Sequence, residues 1–284
     1  MSRLLVTGAA GLLGRDLLAV LDAREDLSVT ATTRAELDIT DPRAVRAAVT
    51  GHDLVINTAA WTDVDAAETH EHAATAVNGH AVTNLAAACA TTGTRLIHIS
   101  TDYVFDGNAT QPYPEHAPTA PVNAYGRSKL AGEQALTRLL PENGYIVRTA
   151  WLYGTHGPNF VTTILRLAAQ RERLDVVNDQ RGQPTWSHHL AQQLVALTDA
   201  ALAGHATPGI YHGTSTGETT WYHLARAVFT LHGLDPDRIR PTTSDHFPRP
   251  ATRPRYSVLA HDRWTAAKLP PLPDWHTSLA EALA

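Results

Sequence analysis

The chain has 284 residues, 43% hydrophobic and 18% charged, which is enough apolar material for a sizeable core and argues against disorder. Its net charge of −5 argues against a broad electrostatic grip on nucleic acid, and no apolar run approaches the roughly 18 residues of a membrane helix. A single cysteine, Cys89, excludes an intrachain disulfide and a cysteine-based metal cluster. The stretch Met1–Gly8 lacks the apolar length of a signal peptide, so a soluble cytoplasmic protein is expected.

In chain order, the apolar patterning predicts a strand at Arg3–Thr7, a helix at Leu12–Asp22, a strand at Ser28–Thr32 and a helix at Pro42–Thr50. A strand at Asp53–Asn57, a long helix at Glu71–Thr92, a strand at Arg95–Ser100, a helix at Ala124–Leu140 and a strand at Tyr145–Thr149 follow. The strands are rich in Val, Ile and Leu on both faces, as in a parallel sheet covered by helices. This alternation predicts an α/β, doubly wound parallel sheet of the Rossmann kind.

Beyond about residue 155 the regularity loosens. Helices are predicted at Asn159–Gln170, His188–Ala203 and Trp221–Leu231, a strand at Gly209–Gly213, and loops at Asn178–Thr185 and at the Pro/Arg-rich Arg238–Ser257. The expected organisation is a dinucleotide-binding domain over 1–155, with later returning segments, and a smaller, partly interleaved domain over 156–284.

Residues 8–14 read Gly8-Ala9-Ala10-Gly11-Leu12-Leu13-Gly14, between a predicted strand and a predicted helix. Glycines here let the backbone turn tightly and approach a pyrophosphate at the helix N-terminus, although glycines in such a turn also serve purely structural ends. The second strand ends at Thr32-Thr33-Arg34 rather than at a carboxylate. An arginine there suits a 2′-phosphate, and no carboxylate is adjacent to repel it; the alternative is a solvated loop arginine. The reading favours NADPH, with NADH allowed, and places Asp38 and Ile39 along the adenine.

Tyr125 and Lys129 form a Y-x-x-x-K pair on one helical face. An ammonium beside a phenol favours phenolate, so Lys129 is expected to lower the Tyr125 pKa toward the range useful for proton transfer. The pair by itself is common, but Lys129 is one of only two lysines in the chain. Thr101 ends a buried strand at the carboxyl edge of the predicted sheet, where open α/β sheets bind ligands. Hydroxyl, phenol and ammonium on a dinucleotide fold make a specific combination.

With those residues in view, the chain resembles the extended short-chain dehydrogenase/reductases, and more narrowly the dTDP-4-dehydrorhamnose reductase family. The resemblance spans nearly the whole chain and is most specific in Ser100–Gly107 and Asn178–Thr185. It implies NAD(P)H-dependent reduction of the 4-keto group of a dTDP-4-keto-6-deoxyhexose. Thr101 would bond the C4 carbonyl, Tyr125 would donate the proton, and Lys129 would hold the nicotinamide ribose. Gly8, Gly11, Leu12, Leu13, Gly14, Ala59, Ala60, Trp61 and Thr62 would line the cofactor. Asp102, Trp151, Asn159, Gln183 and Arg253 would meet the sugar nucleotide. Some members are dimers bridged by magnesium on glutamates. The corresponding positions here are Asp16 and His188-His189, so no metal is expected, and a homodimer stays open. The sparse lysine and Arg-rich composition points to relatives that make deoxysugars for antibiotics as well as rhamnose. The rival readings are an epimerase or 4,6-dehydratase of the same superfamily, and a non-catalytic NADP-binding regulatory subunit. Tyr103, where dehydratases commonly carry a Glu, argues against the second of these enzymes.

Overall fold

The computed structural model describes residues 1–284. It opens with β1 (Ser2–Thr7), α1 (Leu12–Leu21), β2 (Leu27–Thr32), α2 (Pro42–Val49) and β3 (Leu54–Asn57). Next come α3 (Val64–Thr69), α4 (Glu71–Thr75), a π-helical turn (Ala76–His80), α5 (Ala81–Thr92), β4 (Arg95–Thr101), α6 (Ala124–Leu139) and β5 (Gly144–Thr149). The second half holds β6 (Leu152–Tyr153), α7 (Phe160–Ala168), β7 (Leu174–Val177), β8 (Arg181–Gly182), β9 (Thr185–Trp186), α8 (Ser187–Leu202) and β10 (Gly209–His212). It ends with β11 (Ser215–Thr216), β12 (Thr219–Thr220), α9 (Trp221–Leu231), β13 (Ile239–Thr242), α10 (Asp262–Ala266), β14 (Leu272–Asp274) and α11 (Trp275–Ala282).

Six strands form one sheet in the order β10-β5-β4-β3-β1-β2, every pair parallel. The expected doubly wound α/β sheet is present. Alternate residues feed two apolar layers. Leu4, Val6, Leu54, Ile56, Ile97 and Val147 pack with Leu13 and Leu17 of α1 and Leu190, Leu194 and Leu197 of α8. Leu5, Val55, Leu96 and Ile146 pack with Val45, Val49, Val82, Leu85 and Leu136 of α2, α5 and α6. A third cluster, with Tyr153, Val161, Ile164, Leu224, Val228 and Phe229, is the core of the smaller body. Between its visits there the chain returns to the large sheet: β10 pairs with β5, and Trp264 of α10 is buried in the α1/α8 layer. No helix is long and apolar enough to cross a membrane.

Among the elements that differ from expectation, which include β6, β7, β14, α10 and α11, three have a local cause. The single helix at 71–92 is interrupted by the π-helical turn. The extra residue in that turn brings Asn78 into the interface with α6, where its amide donates to Ser128 Oγ at 2.9 Å. The helix α3, unpredicted, starts on the Asp63 side chain, which accepts from Ala66 N. Within the Pro/Arg-rich stretch, β13 forms a parallel pair with β7 despite Pro241. A two-stranded sheet has only edges, and an edge tolerates a missing N–H.

Candidate active site

The first turn is shaped for close approach. Gly8 has φ +73°, and a Cβ there would lie 2.5 Å from Ala59 N. A Cβ on Gly14 would lie 2.4 Å from Gly8 O, so the start of α1 is pressed against the turn with no room for a side chain. Above it opens a cavity of about 690 Å³ along the carboxyl edges of β1, β2, β3 and β4. Its wall includes Gly8, Gly11, Leu12, Leu13, Gly14, Arg34, Asp38, Ile39, Ala59, Ala60, Trp61, Thr62, Tyr125 and Lys129, the full set read from the sequence as lining a cofactor.

Sequence reasoning missed further wall residues, among them Ser100, Thr149, Leu152 and Pro158. The hydroxyls of Ser100 and Thr149 are buried with no partner in the protein. Orphaned hydroxyls on the cavity wall and a glycine cradle without room for a Cβ together fit an extended dinucleotide with polar groups at its inner end. Trp61 is clamped by Asn78: its N–H donates to Asn78 Oδ1 at 2.9 Å and its carbonyl accepts from Asn78 Nδ2 at 3.0 Å.

At the end of β2 the expectation of no neighbouring carboxylate is corrected. Glu36 Oε2 accepts from both Thr33 N and Thr33 Oγ1 at 2.8 Å. The Arg34 charge also helps hold Asp38 below the usual carboxylate range, after the bonds from Thr40. Arg34 itself is exposed and faces the cavity.

The residues read from the sequence as a proton-transfer set lie around the end of β4 and the start of α6, Tyr125 and Lys129 on the cavity wall. Thr101 ends β4, where its Oγ1 accepts from Tyr103 N at 3.2 Å and donates to Asp102 Oδ1 at 3.0 Å. Asp102 is buried, its Oδ2 lacks a partner, and burial pushes its pKa up to about 7. Tyr125 sits in the first turn of α6, started by the Asn123 side chain accepting from Gly126 N and by Glu68 accepting from Ala124 N. The Tyr125 ring meets Tyr103 edge-on, with centroids 6.0 Å apart.

The expectation that Lys129 lowers the Tyr125 pKa does not hold in this structure. Burial pushes the phenol up, the Asp102 charge adds to that, and the Thr101 hydroxyl opposes it. Lys129 is instead turned to the sheet, donating to Ile99 O at 2.5 Å and lying 3.4 Å from His98 Nε2. Burial lowers its pKa to about 8, against the raising effect of Glu133.

The residues assigned to the sugar nucleotide divide into two groups. Trp151 has a left-handed backbone, φ +48°, and its indole stacks on Trp221 with centroids 3.6 Å apart. A Cβ on Gly182 would come within 2.7 Å of the Trp151 ring, so glycine at 182 makes room for it. Trp221, missed in the sequence, is fixed by its Nε1–H donating to Gln180 Oε1 at 3.1 Å. Arg253 donates to Asp65 and Ala251 O and bears on the Tyr103 hydroxyl, which connects the Pro/Arg-rich segment to α3 and to the ring that meets Tyr125 edge-on. Asn159 and Gln183 are held elsewhere. Asn159 caps α7, accepting from Thr162 N and donating to Gly154 O at 2.7 Å. Gln183 is buried, accepting from Leu259 N and Thr214 Oγ1. As for the positions set against the magnesium-bridged members, Asp16 accepts from Ser187 Oγ, while His189 contacts Ser278 and Glu281.

Comparison with known proteins bears on this geometry. The family model described as RmlD substrate binding domain matches residues 2–284. A dTDP-4-keto-6-deoxy-D-glucose reductase of Streptomyces niveus is 54% identical, covering 99% of this chain and 96% of its own. A dTDP-4-dehydrorhamnose reductase of Streptomyces griseus is 55% identical, covering 99% of this chain and 92% of its own. Among solved structures, a dTDP-4-dehydrorhamnose reductase from Bacillus anthracis in complex with NADP superposes with a TM-score of 0.93 at 35% identity, covering 99% of each chain.

Proposed function

The chain belongs to the RmlD substrate binding domain family, and from that premise we propose that it reduces the 4-keto group of a dTDP-4-keto-6-deoxyhexose with NADPH. It is an oxidoreductase, and its substrate is a small dTDP-sugar. The observation that supports the reading is one cavity lined by the glycine turn, Tyr125 and Lys129, with the Thr101 hydroxyl bearing on the Tyr125 phenol.

Gly8, Gly11 and Gly14 with the start of α1 would hold the pyrophosphate, Arg34 and Thr33 the adenosine ribose substituent, and Ser100, Thr149 and Lys129 the nicotinamide end. When bound, the cofactor supplies a hydride to C4 of the sugar. Thr101 Oγ1–H, released from Asp102, donates to the C4 carbonyl oxygen and polarises it. The Tyr125 phenol, kept protonated by burial, gives its proton to that oxygen as negative charge develops there. The resulting phenolate is reprotonated from solvent before the next turnover, while Lys129, turned to Ile99 O and His98, acts on the nicotinamide end. The stacked Trp151 and Trp221 form an apolar platform in the smaller body for the sugar nucleotide, with Arg253 anchored beside Tyr103. In this division of labour, 1–155 and its returning segments take the cofactor, and the remainder of 156–284 takes the sugar nucleotide. The proposal includes a cytoplasmic location, in keeping with a dissolved nucleotide sugar and nicotinamide as reactants.

The test is to supply 4-keto-6-deoxy sugar nucleotides, with and without prior 3,5-epimerisation, and to follow NADPH absorbance together with product stereochemistry by NMR. Stoichiometric NADPH loss with a new C4 hydroxyl supports a reductase. Turnover without net NADPH loss would indicate an epimerase or dehydratase, and binding without turnover a regulatory subunit.

A further inference from the structure

Behind Lys129 lies a row of polar side chains that the mechanism does not use. Thr7, Asn57 and His98 stand opposite one another across β1, β3 and β4, and all three are buried. Two residues earlier on the same face, the corresponding row is Leu5, Val55 and Leu96, entirely apolar and part of one cluster. Packing alone is therefore met there by hydrocarbon, and burying three polar groups instead demands that each be bonded. They are: Thr7 Oγ1 lies 2.6 Å from Asn57 Oδ1, Asn57 Nδ2 lies 2.9 Å from His98 Nδ1, and His98 Nε2 lies 3.4 Å from Lys129 Nζ.

We infer that His98 is a positioning residue for Lys129: a neutral imidazole that accepts one ammonium proton at Nε2 and, together with Ile99 O, leaves the third N–H aimed into the cavity. The inference rests on the reductase reading for what that third N–H serves. Proton counting supports it. Burial and the Lys129 charge both hold His98 well below its ordinary pKa, so the ring carries one proton. Facing an ammonium, Nε2 must offer its lone pair, which puts the proton on Nδ1 and requires an acceptor there. A half-turn of the Asn57 amide, which exchanges two ends of equal shape, supplies it. Asn57 Oδ1 then accepts from His98 Nδ1–H, and Asn57 Nδ2 donates to Thr7 Oγ1. Each bond along the row then pairs a donor with an acceptor, and the orientation of Lys129 is tied to the residue preceding the glycine turn. The other charged group bearing on Lys129 is Glu133, on the same helix, and Tyr125 is the neighbouring titratable group on the cavity side.

The experiment compares wild type with His98→Leu, His98→Gln and Thr7→Val. Steady-state NADPH oxidation with a 4-keto-6-deoxy sugar nucleotide is followed from about pH 6 to 9. His98→Leu is expected to lower kcat about tenfold, the scale of one hydrogen bond to a charged group, with the sugar-nucleotide KM nearly unchanged. Its alkaline limb should move to lower pH, because an ammonium without its acceptor gives up its proton sooner. His98→Gln, whose carbonyl can accept, should recover most of kcat, and the near-isosteric Thr7→Val should shift the limb in the same direction but less. Wild-type kcat and limb in His98→Leu would overturn the inference. So would equal losses in the Leu and Gln variants with an unmoved limb, the mark of a merely structural residue. If His98→Leu does not fold, a Thr7→Val enzyme indistinguishable from wild type is the refuting result. NADPH affinity against pH gives an arm that needs no turnover: it should weaken at lower pH in His98→Leu than in wild type, and coincident curves refute. A wild type that consumes no NADPH with the sugar nucleotide counts against the reductase reading, and the binding arm still decides the role of His98.

Discussion

Replacing Tyr125 by Phe removes one oxygen from the site and keeps the ring that packs edge-on against Tyr103. Loss of a positioned general acid costs about 10²- to 10⁴-fold in rate, or about 3–5 kcal/mol of barrier. The structure adds a second expectation. Asp102 adjoins Thr101, carries an unpartnered oxygen, and has its pKa pushed up to about 7 by burial. In the variant it is a neighbouring carboxyl able to offer a proton near neutrality. With a pKa of about 7, its protonated fraction falls from roughly nine-tenths at pH 6 to roughly one-tenth at pH 8, so the residual rate should fall about tenfold over that interval. The wild-type phenol, held well above its usual pKa, stays protonated throughout and imposes no such fall. The assay is NADPH absorbance under saturating sugar nucleotide, with NADPH affinity measured separately and expected to stay within a few-fold of wild type. Turnover above about a tenth of wild type would show that another group delivers the proton. A residual rate independent of pH would dismiss Asp102 as the reserve donor.

Arg34→Ala should weaken NADPH about tenfold and leave NADH nearly unaffected in titrations of cofactor fluorescence, since only the 2′-phosphate needs that charge. Equal losses would move the phosphate contact elsewhere. Trp151→Ala should raise the sugar-nucleotide KM about three- to tenfold, the worth of one stacked aromatic partner, without changing cofactor affinity. An unchanged KM would remove the Trp151–Trp221 platform from the substrate site. Glu133→Leu should destabilise the fold by about 3–5 kcal/mol in urea unfolding. It strands the Arg148 guanidinium, whose side chain is only 2% exposed and donates to both Glu133 oxygens. A loss below about 1 kcal/mol would mean that Phe105, stacked under Arg148, and Glu115 O suffice to hold that charge.

Local patterns carried the parts of this protein that local physics decides. A hydrophobic strand, three glycines and a helix start are contiguous, and so the cradle was readable residue by residue. The Tyr125–Lys129 spacing was equally readable, but the direction of the ammonium was not: it depends on Ile99 and His98, some thirty residues away on β4. The raised Tyr125 pKa likewise follows from tertiary facts, its burial and the Asp102 charge. Trp221 escaped notice because its partner lies seventy residues upstream on a left-handed backbone. Asn159 and Gln183 illustrate the converse. Polar residues in distinctive segments read as ligand contacts, yet one caps a helix and the other bonds the backbone at Leu259. The π-helical turn left no signal in the periodicity, since one extra residue in a long apolar pattern shifts its phase only slightly.

The place of β10 at the edge of the large sheet limits how this protein can be cut and recombined. The strand beside residues 144–149 is contributed by residues 209–212, after an excursion through the smaller body. A fragment ending near residue 155 would bare the outer flank of β5 and strip α8 from α1, exposing backbone hydrogen-bonding groups and hydrocarbon together. Chimeras that exchange sugar preference between relatives would have to graft the excursion before β10 and the one after it as a matched set, leaving β10 itself in place.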